Sequence, residues 1–162
     1  MKDKIIKALN EQIREELASA YLYLAIAADM DAQNLTGAAK WMKVQYSEEV
    51  GHAMKIYGYI NQRDGKVTLE TLEAPKGSWK SIAEAFEAAL KHEKHITGRI
   101  EGLVALAREL KDTATEVFLQ WFVTEQVEEE ENTRTVVEQA KMIGDSVNGT
   151  FMLDHHLGER QG

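Results

Sequence analysis

Apolar residues recur along this chain in alternating steps of three and four, the pattern of helices that bury one stripe against neighbours in a bundle. Over about 3–31 the stripe reads Ile6, Leu9, Ile13, position 16, Ala20, Tyr23, Ala27 and Met30. A second run, about 37–63, follows the short turn at 33–36 and reads Met42, Gln45, Glu49, His52, Ile56 and Tyr59. A turn so short joins antiparallel neighbours. The run stops near Gly65, a residue suited to ending a helix. From 65 to about 80 the periodicity lapses, which predicts a long crossover running the height of the bundle, with Val67–Glu70 as a short extended piece. Ser78 or Ser81 caps a third run, about 81–109, whose stripe is Ile82, Phe86, Ala89, Glu93, Ile96, Ile100, Leu103, Ala107 and Leu110. A fourth, about 113–142, carries Thr115, Leu119, Phe122, Gln126, Glu129, Thr133, Val136, Ala140 and Ile143. Val147, Phe151, Met152 and Leu157 mark a short amphipathic helix over about 146–157. The expected fold is all-α: a four-helix bundle over about 3–143, one long crossover between helices 2 and 3, and a short fifth C-terminal helix, all in a single domain spanning 1–162.

Each long stripe is interrupted near its midpoint by a carboxylate: Glu16, Glu49, Glu93 and Glu129. With a rise of about 1.5 Å per residue, the four converge within roughly 5 Å in height. Four ionised carboxylates in a core lack water and repel one another. Cations must make that meeting tolerable, and two divalent ions cancel four charges. His52 lies three residues after Glu49, on the same helical face, and supplies a nitrogen ligand. The Glu-x-x-His spacing is weak evidence alone; four carboxylates at one level are not. Oxygen-rich ligation with one imidazole suits iron, manganese or zinc, and ligand type does not choose among them. Gln126 stands where a second His would complete a symmetric pair, so the two metal positions should differ. Tyr23, two turns from Glu16, lies close by and reads first as packing. Glu48, Glu125 and Glu128 flank the seam, either as a solvated acidic face or as holders of a further ion. His92 and His95 are phased away from the seam and read as surface residues, as do His155 and His156 by default. Trp41, Trp79 and Trp121 read as packing.

Composition narrows the chemistry. The 162 residues suffice for one packed domain. There is no Cys, which excludes disulfides, thiolate metal sites and a cysteine nucleophile, and suits a reducing cytoplasm. A net charge of −8 argues against a nucleic-acid partner and favours attracting cations. No stretch approaches a membrane span.

With those residues in view, the chain resembles the non-haem ferritins of bacteria and archaea, members of the ferritin-like di-iron family. The resemblance runs through Leu9-Asn10-Glu11-Gln12 and Glu16 to Tyr23, Glu48 to Ala53, Glu93, and Phe118 to Glu130. It implies a ferroxidase that oxidises Fe2+ with O2 or H2O2 and stores ferric mineral inside a 24-subunit homo-oligomeric shell. It implies that Glu16, Glu49 and His52 hold one iron and Glu49, Glu93 and Glu129 the other, with Glu49 bridging. Gln126 becomes an outer amide, Tyr23 a nearby phenol, and Glu48, Glu125 and Glu128 ligands of a third iron, sharing Glu129. Val50 stands where bacterioferritins carry their haem-ligating Met, so no haem is expected. Three rivals remain: a rubrerythrin-like di-iron oxidase or peroxidase, disfavoured by the missing Cys; a DNA-protecting mini-ferritin, whose metals lie between subunits; and a non-catalytic helical interaction module, which leaves the central carboxylates unexplained.

Overall fold

A computed structural model describes all 162 residues. Its helices are α1 (Asp3–Ala32), α2 (Thr36–Gln62), α3 (Ile82–Glu109), α4 (Thr113–Ile143) and α5 (Val147–Gly158), each bound within one residue of that read from periodicity. Local chemistry sets most of these limits. The Ser81, Asp112 and Ser146 side chains accept from the backbone N–H of Glu84, Thr115 and Gly149, capping α3, α4 and α5. Asn34, Asp64 and Lys111 take left-handed conformations just past α1, α2 and α3. The stop after α2 is therefore Asp64, with φ 56°, rather than Gly65. Gly65 serves close approach instead, since a Cβ there would meet the Ile60 side chain at 2.9 Å.

Helix α1 packs on α2, α3 packs on α4, and the pairs meet chiefly along α1 and α3. The 63–81 crossover contains no strand, so Val67–Glu70 is not a paired extended piece. Side chains of α1 pin it instead. The Asn10 amide donates to the Lys66 carbonyl at 3.0 Å and accepts from Thr68 N at 2.8 Å; Arg14 pairs with Glu70 at 2.8 Å. At the far end Trp79 N donates to Asp29 and Gln33 donates to the Trp79 carbonyl. Asn10 to Gln33 spans about 34 Å of helix, so the crossover does climb the bundle.

The apolar core is split into two layers. One joins Ile26, Met30, Met42, Phe86 and Val137; the other joins Leu9, Ile13, Ile56, Ile100 and Leu119. Between them, every long helix turns polar: Gln12, Glu16 and Ser19 on α1, Gln45, Glu49 and His52 on α2, Glu93 on α3, and Gln126, Glu129 and Thr133 on α4 are all buried. Two phases differ from the sequence reading. Ile5, not Ile6, is the buried member of the first turn of α1. On α5 the buried residues are Leu153 and Leu157, while Val147, Phe151 and Met152 face outward. A short helix seated mainly on α2 and only lightly on α4 buries a narrow stripe, so the apolar residues beside that stripe stay uncovered by their own chain.

Candidate metal centre

The four mid-helix carboxylates do meet. Glu16, Glu49 and Glu93 are each 1% exposed and Glu129 is 4% exposed. Ligand atoms of Glu16, Glu49 and His52 lie within 4.8 Å of one another, as do those of Glu49, Glu93 and Glu129. Glu49 belongs to both triads. A third group, His52, Glu125 and Glu129, adjoins them on the more exposed side. His52 faces two ways: Nδ1 lies 3.3 Å from Glu49 Oε2 and 3.9 Å from Glu16 Oε2, while Nε2 lies 3.9 Å from Glu125 Oε1.

Amides hold these carboxyls in place. Gln12 Nε2 donates to Glu16 Oε1 at 2.9 Å. Gln45 Nε2 donates to Glu49 Oε1 at 2.9 Å and to Glu129 Oε2 at 2.7 Å. Gln126 Nε2 donates to Glu93 Oε2 at 3.1 Å, and the Tyr23 hydroxyl donates to Glu93 Oε1. Glu16 Oε2 is different: it is buried and finds no hydrogen-bond partner in the protein. A buried acceptor left so is costly. It lies beside His52 Nδ1 and Glu49, where a shared cation would satisfy it.

Electrostatics describe the same strain. Burial, then repulsion from Glu49, pushes the Glu16 carboxyl well above its usual range. Burial and Glu93 raise Glu49 to about 8. Burial, Glu93 and Glu49 raise Glu129 to about 9. Glu93 is also raised by burial, though its bonds from Tyr23 and Gln126 oppose the rise. Burial and the neighbouring Glu93 push the Tyr23 phenol well upward. Without cations Glu49 and Glu129 keep their protons near neutrality. These carboxylate oxygens and one imidazole form a donor set that fits hard or borderline cations.

The outlying candidates divide. Glu125 joins His52 and Glu129, whereas Glu128 is exposed and belongs to none of the three groups. Glu48 is exposed and bound by Arg160 at 2.7 Å. His92 is not a surface residue: it is half-buried, lies 2.6 Å from the Ser19 hydroxyl, and is driven down to about 4 by burial and by His95. Its contact with Ser19 of α1 places it in the seam between α1 and α3. His95 is exposed beside Glu15, and His155 and His156 are exposed as read. Trp41 and Trp79 are buried packing residues. Trp121 is 38% exposed and does more than pack, standing edge-on to His52 at 5.4 Å beneath Lys55 Nζ. Sequence reasoning gave no role to Gln12, Gln45 or Arg160. The first two had a signal, each preceding a ligand-like Glu by four residues; Arg160 had none.

The chain is similar to known proteins along nearly its whole length. A family model described as a ferritin-like domain matches residues 6–143. A bacterial non-heme ferritin of Bacteroides fragilis (strain 638R) is 38% identical over 158 residues, covering 98% of each chain. One from Staphylococcus epidermidis (strain RP62A) is 40% identical over 157 residues, covering 97% of this chain and 95% of its own. Among solved structures, an open pore ferritin from the hyperthermophilic archaeon Archaeoglobus fulgidus superposes with a TM-score of 0.98 at 43% identity, over 99% of both chains.

Proposed function

The chain belongs to the ferritin family, and from that premise we propose that its mid-bundle centre oxidises Fe2+ and that the protein stores the ferric product. The observation that carries the reading is Glu49, shared by two ligand triads at the level where four buried carboxyls meet. In this reading Glu16, Glu49 and His52 take one Fe2+, and Glu49, Glu93 and Glu129 take the second, with Glu49 between them. Gln126 and Tyr23 act on Glu93 by hydrogen bonds. The nitrogen ligand on one side only makes the two positions unequal.

Iron here is the substrate, and the protein's contribution is to bring two ions together and to favour the higher charge. Loading Fe2+ releases the carboxyl protons. Each iron then gives one electron to the oxidant, so that O2 is reduced to peroxide, or H2O2 to water. Anionic oxygen ligands gain more from Fe3+ than from Fe2+, which drives the step forward. Protons held by Glu49 and Glu129 before loading leave through the exposed side, where Glu125 stands. We assign a third, weaker iron position to Glu125 and Glu129, with Glu48 and Glu128 as outer acidic groups.

Assembly completes the function. Val147, Phe151 and Met152 on α5, Met142 on α4, and Val127 and Val117 on α4 are large, apolar and exposed. Faces of this kind call for coverage by other subunits, in keeping with a 24-subunit homo-oligomeric shell. No helix is long and apolar enough to cross a membrane. We place the protein in the cytoplasm and, with Val50 at the position noted above, without haem. Anaerobic loading with two Fe2+ per chain, followed by O2, tests the reading: rapid ferric absorbance is expected from an assembly near 24 times 18.3 kDa. Oxidation no faster than in buffer alone would overturn it.

A further inference from the structure

We infer that Arg160, beyond the end of α5, is a positioning residue of the metal centre, acting on Glu49 and Glu129 through the amide of Gln45. The inference rests on the metal-centre reading above and adds a residue from a part of the chain that the four-helix site does not include.

The contacts form a chain. Arg160 Nη2 donates to Gln45 Oε1 at 3.0 Å, and the Gln45 amide nitrogen donates to Glu49 Oε1 and Glu129 Oε2. Both amide hydrogens are thereby committed to the two carboxyl groups of one triad. An amide has two nearly isosteric ends, and its neighbours decide which faces where. A carboxyl group meets either end, accepting when ionised and donating when protonated, so Glu49 and Glu129 alone leave the choice open. A guanidinium only donates. Placed on the outer side, it requires the carbonyl end to face outward and the N–H2 end to face the metal ligands.

Arg160 is itself well held. Its guanidinium lies over the Trp41 ring at 4.1 Å, donates to the Trp41 carbonyl at 3.3 Å through Nη1, and donates to Glu48 Oε2 at 2.7 Å through Nη2. A planar fork meets these partners together; a lysine ammonium is a single point charge and does not. The tail reaches this place because α5 docks on the start of α2. Leu35 offers α2 no side-chain cap, and Asp154 of α5 accepts from Ala38 N at 2.8 Å in its stead. Lys40 Nζ donates to the Gly158 carbonyl at 2.9 Å. Gly37 and Gly158 touch backbone to backbone, and a Cβ at Gly37 would stand 1.7 Å from the Asp154 carbonyl oxygen.

The arrangement makes the terminal helix part of the centre. It also gives Glu48 a resident cation, so that an ion binding at Glu48 competes with Arg160.

Anaerobic titration of the full chain with Co2+, followed by its visible absorption, tests the assignment without requiring oxidation. Arg160→Ala is expected to weaken Co2+ binding roughly 3–10-fold and to alter the band shape, a smaller effect than the roughly 10–100-fold typical when a ligand's own hydrogen-bond partner is lost. In a Gln45→Met background the same substitution should add little. Unchanged affinity and band in Arg160→Ala, or a full-sized further loss in the Gln45→Met background, overturns the assignment. A parent chain that binds Co2+ but does not oxidise Fe2+ would instead overturn the ferroxidase reading and leave this one standing.

Discussion

The two halves of the metal centre are furnished in different ways. In the α1–α2 half each carboxyl is held from within its own helix, Glu16 by Gln12 and Glu49 by Gln45, both four residues earlier. In the α3–α4 half support comes from across the bundle: Glu93 is held by Tyr23 of α1 and Gln126 of α4, and Glu129 by Gln45 of α2. Own-helix support is present as soon as the helix forms. Cross-helix support exists only once the bundle has closed. The imidazole of His52 and the unpartnered Glu16 Oε2 both lie in the first half. On the function proposed above, that half is the one prepared to accept an ion early, and the second is completed by packing.

Substitutions at the ligands test that division most severely. Glu49→Ala removes the residue common to both triads and should abolish rapid Fe2+ oxidation and binding at both positions, read by stopped-flow absorbance and anaerobic titration. His52→Ala should weaken only the α1–α2 position, leaving one ion per chain bound with near-parental affinity. Equal loss at both positions in His52→Ala would mean that the halves do not bind separately.

The supporting amides come next in size. Gln12→Leu is expected to weaken one ion only, on the order of tenfold, the low end for losing an outer partner of a ligand. Gln126→Leu should do the same for the other ion. It should also loosen the α3–α4 contact, because Gln126 Nε2 additionally reaches the Glu93 carbonyl and Thr97. Hydrogen exchange on α3 around Glu93 and Thr97 should rise in Gln126→Leu, while α1 around Glu16 should be unchanged in Gln12→Leu.

The same division explains what could be read from residues alone. Helix limits and the level of Glu16, Glu49, Glu93 and Glu129 follow from periodicity, which reports what one helix does, and the antiparallel pairing follows from the short turns. His52 follows from spacing on one face. Gln12 and Gln45 were equally legible at four residues before Glu16 and Glu49, but a polar residue in a stripe does not announce which neighbour it serves. Arg160 and the burial of His92 were beyond reach, because each depends on where a distant segment docks. The outward turn of Val147, Phe151 and Met152 was missed for a related reason: the amphipathic pattern marks an apolar face without saying which surface covers it.

A further prediction concerns pH, and its sign comes from burial. Glu49 and Glu129 sit at about 8 and about 9 in the folded protein, above the ordinary carboxylate value near 4.5 that they regain on unfolding. Between those limits the folded state holds protons that the unfolded state has released, so the stability of the metal-free protein falls as pH rises from about 4.5 towards 8. Its Tm should be lower at pH 8 than at pH 5, by about 2–4 °C for each kcal/mol lost in a chain of this size. A Glu129→Gln variant, which cannot ionise, should show a shallower fall. Divalent metal acts in the opposite direction, since it binds the deprotonated carboxyls more readily as pH rises and stabilises the state it binds. Scanning calorimetry with and without Zn2+ across that range should therefore show the two curves diverging upward in pH. Parallel curves would mean that the ion binds outside the buried carboxyl layer, and the contrast between the halves would lose its basis.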